Sequence, residues 1–316
     1  MRILIEPPSW LGDATMASPA IENLLNYYEN AEVTLIGSFI STEILKSLPK
    51  LEKVEVLDKS YKSIYKISKK LGKFEVFFSF RGSLRSKYLK MLISSDNKFQ
   101  FNSKRYQNLH LVEKYNSFIN ESLGTDFKAG NLNLNLTSHF NNSTKLVGIN
   151  PGASYGESKR WYPKEFAKVA IDLSKDYDIL IFGGVNEKNI ANDIEEILVT
   201  NGILNYQNLA GKTSLLELAN LISSLDLFIT GDSGPMHLAA NFQVPTISIF
   251  GSTRADETSQ WMNKNSIILK KNLDCQPCMK RTCPLKHHNC MKLITAKEVL
   301  SAINKLQKNQ NRLNNY

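Results

Sequence analysis

Short apolar runs alternate with stretches of helical character along this chain, and the alternation occurs in two separate series. In the first, residues 3–5 read as a strand followed by a helix over 18–28, and residues 33–36 as a strand followed by a helix over 41–48. Residues 54–57 and 76–80 read as further strands, each with helical material behind it. The second series starts with strands at 146–150 and 179–182 and continues with 227–230 and 246–250. Such alternation packs as a parallel sheet, because each return to a parallel neighbour needs a crossover that covers one face. The expected fold class is therefore α/β. It comprises two Rossmann-like domains, 1–140 and 146–316, with parallel sheets facing across a cleft and the last helix free to pack back on the first domain. The polar segment 131–145, with Asn141-Asn142-Ser143-Thr144, reads as the linker. The Asn-rich tail 308–316 is expected to fray. Ligands are expected at the carboxyl ends of the strands.

The formal net charge is +9, from 39 Lys and Arg against 30 Asp and Glu. This balance favours a polyanionic partner: nucleic acid, an anionic membrane surface or a phosphorylated substrate. No run approaches the roughly 20 apolar residues that span a bilayer. The sequence begins directly on a strand without a secretory leader pattern, so a cytoplasmic location is expected. Basic residues gather over 81–105: Arg81, Arg85, Lys87, Lys90, Lys98, Lys104 and Arg105, against Asp96 alone. Arg81, Arg85 and Lys87 are expected to open a helix behind the strand at 75–80. Helix N-termini prefer acids, so cations there point to an external anion. A solvated helix face is the simpler reading of the same run.

Residues 230–237, Thr-Gly-Asp-Ser-Gly-Pro-Met-His, follow a strand and open an apolar helix. A glycine-rich strand-to-helix turn aims unpartnered backbone N–H groups at an anion, and Asp232 adds an acceptor for sugar hydroxyls. The competing reading is an Asp/Ser cap that merely fixes the corner. Pro8-Ser9-Trp10-Leu11-Gly12-Asp13 places Asp13 behind the first strand, as a general base or as a helix cap. Neither a Gly-x-Gly-x-x-Gly fingerprint nor a Walker loop is present, which argues against a nicotinamide or P-loop site. Lys159, ahead of Pro163, can reach phosphate oxygens at a helix start. Glu187, behind Gly183-Gly184, suits either a ribose diol or the first turn of a helix. Cys275, Cys278, Cys283 and Cys290 crowd around His287 and His288. They read either as a zinc or iron site or as a thiol-rich cap loop, in a spacing that matches no standard finger.

Taken in order, these motifs resemble the ADP-heptose lipopolysaccharide heptosyltransferase family, most closely its heptosyltransferase II branch. The resemblance runs almost end to end. It rests on Pro8-Ser9-Trp10-Leu11-Gly12-Asp13, Asn150-Pro151-Gly152-Ala153 with Lys159-Arg160-Trp161, Gly211-Lys212-Thr213-Ser214-Leu215, Gly231-Asp232-Ser233-Gly234-Pro235-Met236-His237, Ile249-Phe250-Gly251-Ser252-Thr253 and the cysteine segment. It implies a GT-B fold with an N-terminal acceptor domain and a C-terminal donor domain. It implies an inverting, metal-independent transfer of heptose from ADP-heptose, without a cofactor. Asp13 then stands as the catalytic base. Lys159 meets the donor pyrophosphate, Asp232 the heptose hydroxyls, and the Ser233 and Gly234 amides the phosphate. Thr213 lies near adenine and Glu187 near ribose, and His237 closes the donor motif. Arg81, Arg85 and Lys87 are expected on the acceptor side. The implied partners are ADP-heptose, a heptosyl-Kdo-lipid A inner core and the anionic cytoplasmic face of the inner membrane, met peripherally by a monomer. A transferase of the same family with another acceptor, heptosyltransferase I first, is the rival enzyme. A non-catalytic nucleic-acid-binding protein is the rival of another class; it lacks a recognisable RNA or DNA module.

Overall fold

The computed structural model describes residues 1–137 and 144–313. Part of the expected linker, 138–143, and the last three residues of the tail, 314–316, lie outside the described residues. The chain divides into two compact units, Met1–Leu136 and a second that begins at Thr137. In the first, strands β1 (Arg2–Glu6), β2 (Glu32–Gly37), β3 (Leu51–Val56), β4 (Lys73–Ser79) and β5 (Ser94–Gln100) form a parallel sheet in the order β3-β2-β1-β4-β5. The second unit contains β6 (Leu146–Asn150), β7 (Asp178–Ile181), β8 (Tyr206–Asn208), β9 (Leu227–Gly231), β10 (Thr246–Phe250) and β11 (Ser266–Lys270). Its parallel sheet runs β11-β10-β9-β6-β7-β8. Both are Rossmann orders, as the α/β reading requires. The winding reverses between β1 and β4 in one sheet and between β6 and β9 in the other, and open α/β sheets bind ligands outside such switch points.

The sheets form because their central strands bury both faces. Along β4, Phe77 packs with Leu4, Ile36, Ile64 and Leu89. Phe78, pointing the opposite way, meets Phe118 with ring centroids 6.2 Å apart. In the second unit Val147, Ile149, Ile229 and Ile249 pack against Phe166, Ile194, Val299, Ile303 and Leu306. On the reverse face Gly148 admits Leu225, Phe182 and Phe228 so closely that a Cβ there would overlap all three.

The chain departs from the sequence reading at several ends. The final helix, Ala296–Leu313, extends into the segment expected to fray as far as Leu313. Val299, Ile303 and Leu306 recur at helical spacing and anchor one face on the second sheet, which carries the polar end along. The helix expected to open at Arg81 instead spans Leu84–Leu92, because the Ser83 hydroxyl accepts the Ser86 N–H at 3.1 Å and sets the cap. Arg81 therefore lies ahead of the helix.

Candidate functional site

The β1–β4 switch point of the first unit opens into a cavity of about 820 Å³. Its lining includes Trp10, Asp13, Gln100 and Tyr115 with four cations, Arg81, Lys87, Lys90 and Lys104; Asp13 is the sole carboxylate among the lining residues. Asp13 is the third residue of helix Leu11–Met16, whose N-cap is Trp10 without a side-chain bond, so the capping role does not fall to Asp13. Burial, then the neighbouring Asp13 charge, push the Tyr115 hydroxyl well above its ordinary range. Tyr115 thus stays a neutral phenol beside the carboxylate.

Behind the cavity, Glu6 ends β1 and is buried. Its carboxylate accepts the Ser79 hydroxyl at 2.5 Å, the Ser86 hydroxyl at 2.9 Å and the Arg81 guanidinium at 3.2 Å. The Gln100 amide donates to the Arg81 carbonyl at 3.1 Å, so Arg81 is held at both its backbone and its side chain. Arg85 turns away: it donates to the Asp58 carbonyl and is absent from the cavity lining. Of the three expected acceptor residues, the structure brings Arg81 and Lys87 together and leaves Arg85 apart. Residues two apart on a helix point about 200° from each other, so Arg85 and Lys87 cannot share a face. Lys90, one turn beyond Lys87, and Lys104 complete the cationic lining.

Burial raises the Glu6 carboxyl above its ordinary 4.5, against its three donors. Between 4.5 and the folded value the native chain binds more protons than the unfolded one. The stability linked to this group is therefore full below pH 4.5 and is lost as pH rises through the folded value. Glu6→Gln has no such proton to release. Thermal melts across pH 4–8 are expected to fall less with rising pH in this variant than in the wild type. A steeper fall in the variant would reverse the assigned direction.

The β6–β9 switch point of the second unit assembles the other motifs. Asn150 at the end of β6 donates its amide to the Thr230 hydroxyl at 3.2 Å and the Ser233 hydroxyl at 3.1 Å, joining the two loops. Helix Gly234–Asn241 starts at the N-cap Ser233, which makes no side-chain cap bond because its hydroxyl is turned to Asn150 and Thr230. The Asp232 carboxylate, also no cap, pairs with the Lys159 ammonium at 2.6 Å and accepts the Thr253 hydroxyl at 2.6 Å. Lys159 lies 4.7 Å from the centre of the Tyr155 ring. A cation, an acceptor and a helix start free of side-chain capping thus converge beside the switch point. This set can meet an anion and hydroxyls at once.

Glu187 is buried next to the same loops, its carboxylate accepting the Gly184 N–H at 2.8 Å. It lies so close to Gly152 that a Cβ there would overlap it. Thr213 precedes Ser214, the cap of helix Leu215–Ser223, in a loop tied to Gly183 through the Gly211 N–H at 2.8 Å. His237 is buried in the first turns of Gly234–Asn241.

The four cysteines are free, and all line one small cavity of about 20 Å³ with His287 and His288. Among the described residues no group of three or more His, Cys, Asp or Glu is arranged to hold a metal ion. Burial, then the charges of Cys283, Cys278 and Cys275, push the Cys290 thiol up. The segment has a task the sequence did not reveal: it holds the Lys159 loop. The Ser158 N–H donates to the Arg281 carbonyl at 3.0 Å, the Ser158 hydroxyl to the Lys280 carbonyl at 2.5 Å, and the Tyr155 hydroxyl to the Met279 carbonyl at 2.9 Å. The Gln276 amide reaches the Gly251 carbonyl at 2.7 Å, in the loop that carries Thr253.

Residues 79–289 match the family described as glycosyltransferase family 9 (heptosyltransferase). The chain is 40% identical to lipooligosaccharide heptosyltransferase 2 of Campylobacter jejuni, over 98% of this chain and 99% of that one. Among solved structures it is similar to E. coli ADP-heptose lps heptosyltransferase II, with a TM-score of 0.81 at 20% identity, covering 98% of this chain and 100% of that one. A family 9 glycosyl transferase from Veillonella parvula gives a TM-score of 0.82 at 20% identity, covering 96% of each chain. These likenesses identify the fold.

Proposed function

The chain belongs to glycosyltransferase family 9, the heptosyltransferases, and from that premise we propose that it transfers L-glycero-D-manno-heptose from ADP-heptose to the heptosyl-Kdo-lipid A inner core of lipopolysaccharide. The observation that carries the donor side is the Lys159–Asp232 pair at a helix start that no side chain caps. Lys159 and the Ser233 and Gly234 amides take the diphosphate, while Asp232 takes heptose hydroxyls. The first unit takes the acceptor, because its cavity sets one carboxylate among four cations, as an anionic sugar presenting a hydroxyl requires.

In the proposed step Asp13 removes the proton of the acceptor hydroxyl as its oxygen attacks the anomeric carbon from the face opposite the diphosphate. The carbon–oxygen bond to ADP breaks, its electron pair leaves with the diphosphate, and the anomeric configuration inverts. Fixed donors aimed at the developing charge serve this departure without reorganisation, and Lys159 with the two amides supplies them. No step of the transfer is given to a metal or cofactor. Among the described residues no helix is long and apolar enough to cross a membrane. We place the enzyme in the cytoplasm, meeting the lipid-borne acceptor peripherally as a monomer.

Kinetics on two acceptors test the reading. With saturating ADP-heptose, heptosyl-Kdo-lipid A is expected to outcompete Kdo-lipid A by at least tenfold in kcat/KM; the reverse preference would assign the earlier transfer. Lys87→Ala/Lys90→Ala is expected to raise the acceptor KM about tenfold without changing ADP affinity. Its rate at low acceptor should also depend less on salt, since exposed charges are screened over about 8–10 Å at physiological ionic strength. Arg85→Ala is expected to change neither constant. A loss of ADP affinity in the double variant would reverse the two domain roles.

A further inference from the structure

The loops behind β2, β1 and β4 leave the carboxyl edge of the first sheet side by side, because those three strands are consecutive neighbours. Adjacent strands lie about 4.8 Å apart, so the three loop starts fall within roughly 10 Å. Each loop leads into a helix, and each helix start presents large apolar side chains to solvent. Phe39 is 62% exposed and Ile40 43% after β2, Trp10 is 53% exposed after β1, and Leu84 is 77% exposed after β4. The first two loops are tied directly, the Ser38 hydroxyl donating to the Ser9 carbonyl at 3.0 Å.

Single exposed apolar residues are ordinary, but four at the helix starts behind three neighbouring strand ends mark that edge of the sheet as an interaction surface. Its border is cationic, since Trp10 lines the cavity together with Arg81, Lys87, Lys90 and Lys104. Apolar and aromatic tips beside lysines and arginines suit the interface of an anionic bilayer: the tips enter the acyl boundary while the cations meet headgroups. A second copy of this chain fits poorly, because it would set the same cations against each other. We propose that Trp10, Phe39, Ile40 and Leu84 form a docking row for an anionic membrane surface, which brings the mouth of the cationic cavity to the lipid that carries the acceptor. This rests on the acceptor reading above.

The test uses Phe39→Gln/Ile40→Gln/Leu84→Gln, which leaves every cavity-lining residue in place. Cosedimentation with phosphatidylethanolamine–phosphatidylglycerol vesicles is expected for the wild type, with affinity about tenfold weaker or less in the triple variant. Wild-type tryptophan emission is expected to shift to the blue on vesicles, and Trp10→Phe to lose most of that shift, because Trp161 is already buried and the half-buried Trp261 belongs to the second unit. Transfer to a deacylated, water-soluble acceptor is expected to be unchanged in the triple variant, while transfer to the vesicle-borne acceptor falls about tenfold. Three results would overturn the docking row: no wild-type binding to vesicles, equal binding by the triple variant, or an equal loss of transfer to the deacylated acceptor. A wild-type dimer that the triple variant dissolves would assign the row to a second copy instead. If the wild type transfers heptose to no acceptor while the triple variant still loses vesicle binding, the functional reading fails and the docking row stands.

Discussion

Asp13→Asn is expected to bind ADP as the wild type does and to lose turnover by about 10²–10⁴-fold, the usual contribution of a positioned general base. The substitution preserves volume and removes the one carboxylate among the described residues that line the cationic cavity. A helix cap would give a different result. Asp13 is the third residue of its helix and Trp10 holds the cap position, so its loss is not expected to unfold the first turn. Acids in a first turn contribute about 0.3–1 kcal/mol through the helix dipole, which a melting curve resolves. The expected pattern is a small change in Tm, an unchanged ADP isotherm and a collapse of kcat. Near-normal turnover would leave Asp13 with a dipole role only.

Lys159→Ala is expected to weaken ADP binding and slow transfer together. A charge-assisted hydrogen bond contributes about 1.5–3 kcal/mol, which is roughly 10–150-fold in affinity at 1.4 kcal/mol per tenfold. The pairing with Asp232 adds a second consequence. The two side chains are 13% and 6% exposed, so removing the ammonium leaves a carboxylate largely out of water. Breaking a buried pair from one side costs about 3–5 kcal/mol, and the remaining Thr253 hydroxyl places this site toward the lower end. Lys159→Ala/Asp232→Asn is expected to recover much of the lost stability without recovering ADP affinity. Calorimetric titration with ADP beside thermal melts separates the two effects. If ADP affinity and rate both survive in Lys159→Ala, the diphosphate contact is wrong.

The parts of the fold legible in the sequence are those where burial dictates residue type. Strands β1, β2, β6, β9 and β10 are flanked on both sides within their sheets, and their apolar runs showed it. Strand β5 escaped notice because it is an edge strand: Ser94-Ser95-Asp96-Asn97-Lys98 pairs only with β4 and needs little apolar content. Strand β8, an edge of the other sheet, was missed for the same reason, being only Tyr206-Gln207-Asn208, whereas the other edge, β11, carries an apolar run, Ile267-Ile268-Leu269, that was passed over. The placement of the motifs that carry Asp13, Lys159 and Asp232 between a strand and a helix was legible, because strand-to-helix turns leave short, ordered motifs. Glu6 gave no signal, since an acid before two prolines looks like a surface residue until Ser79, Ser86 and Arg81 close around it. Arg85 was misplaced because charge clustering carries no helical phase. The hold of the cysteine segment on the Lys159 loop was invisible because most of its acceptors are backbone carbonyls, which no side-chain pattern records.

The most direct test is the mass of the acceptor after incubation with ADP-heptose in the presence of EDTA, with circular dichroism to verify that the fold survives chelation. Heptosyl-Kdo-lipid A is expected to gain the mass of one heptose, with one ADP released per heptose transferred, and Asp13→Asn is expected to show neither change at matched times. An acceptor of unchanged mass with the fold intact, restored to transfer by magnesium or manganese, would contradict the metal-free transfer proposed for this site.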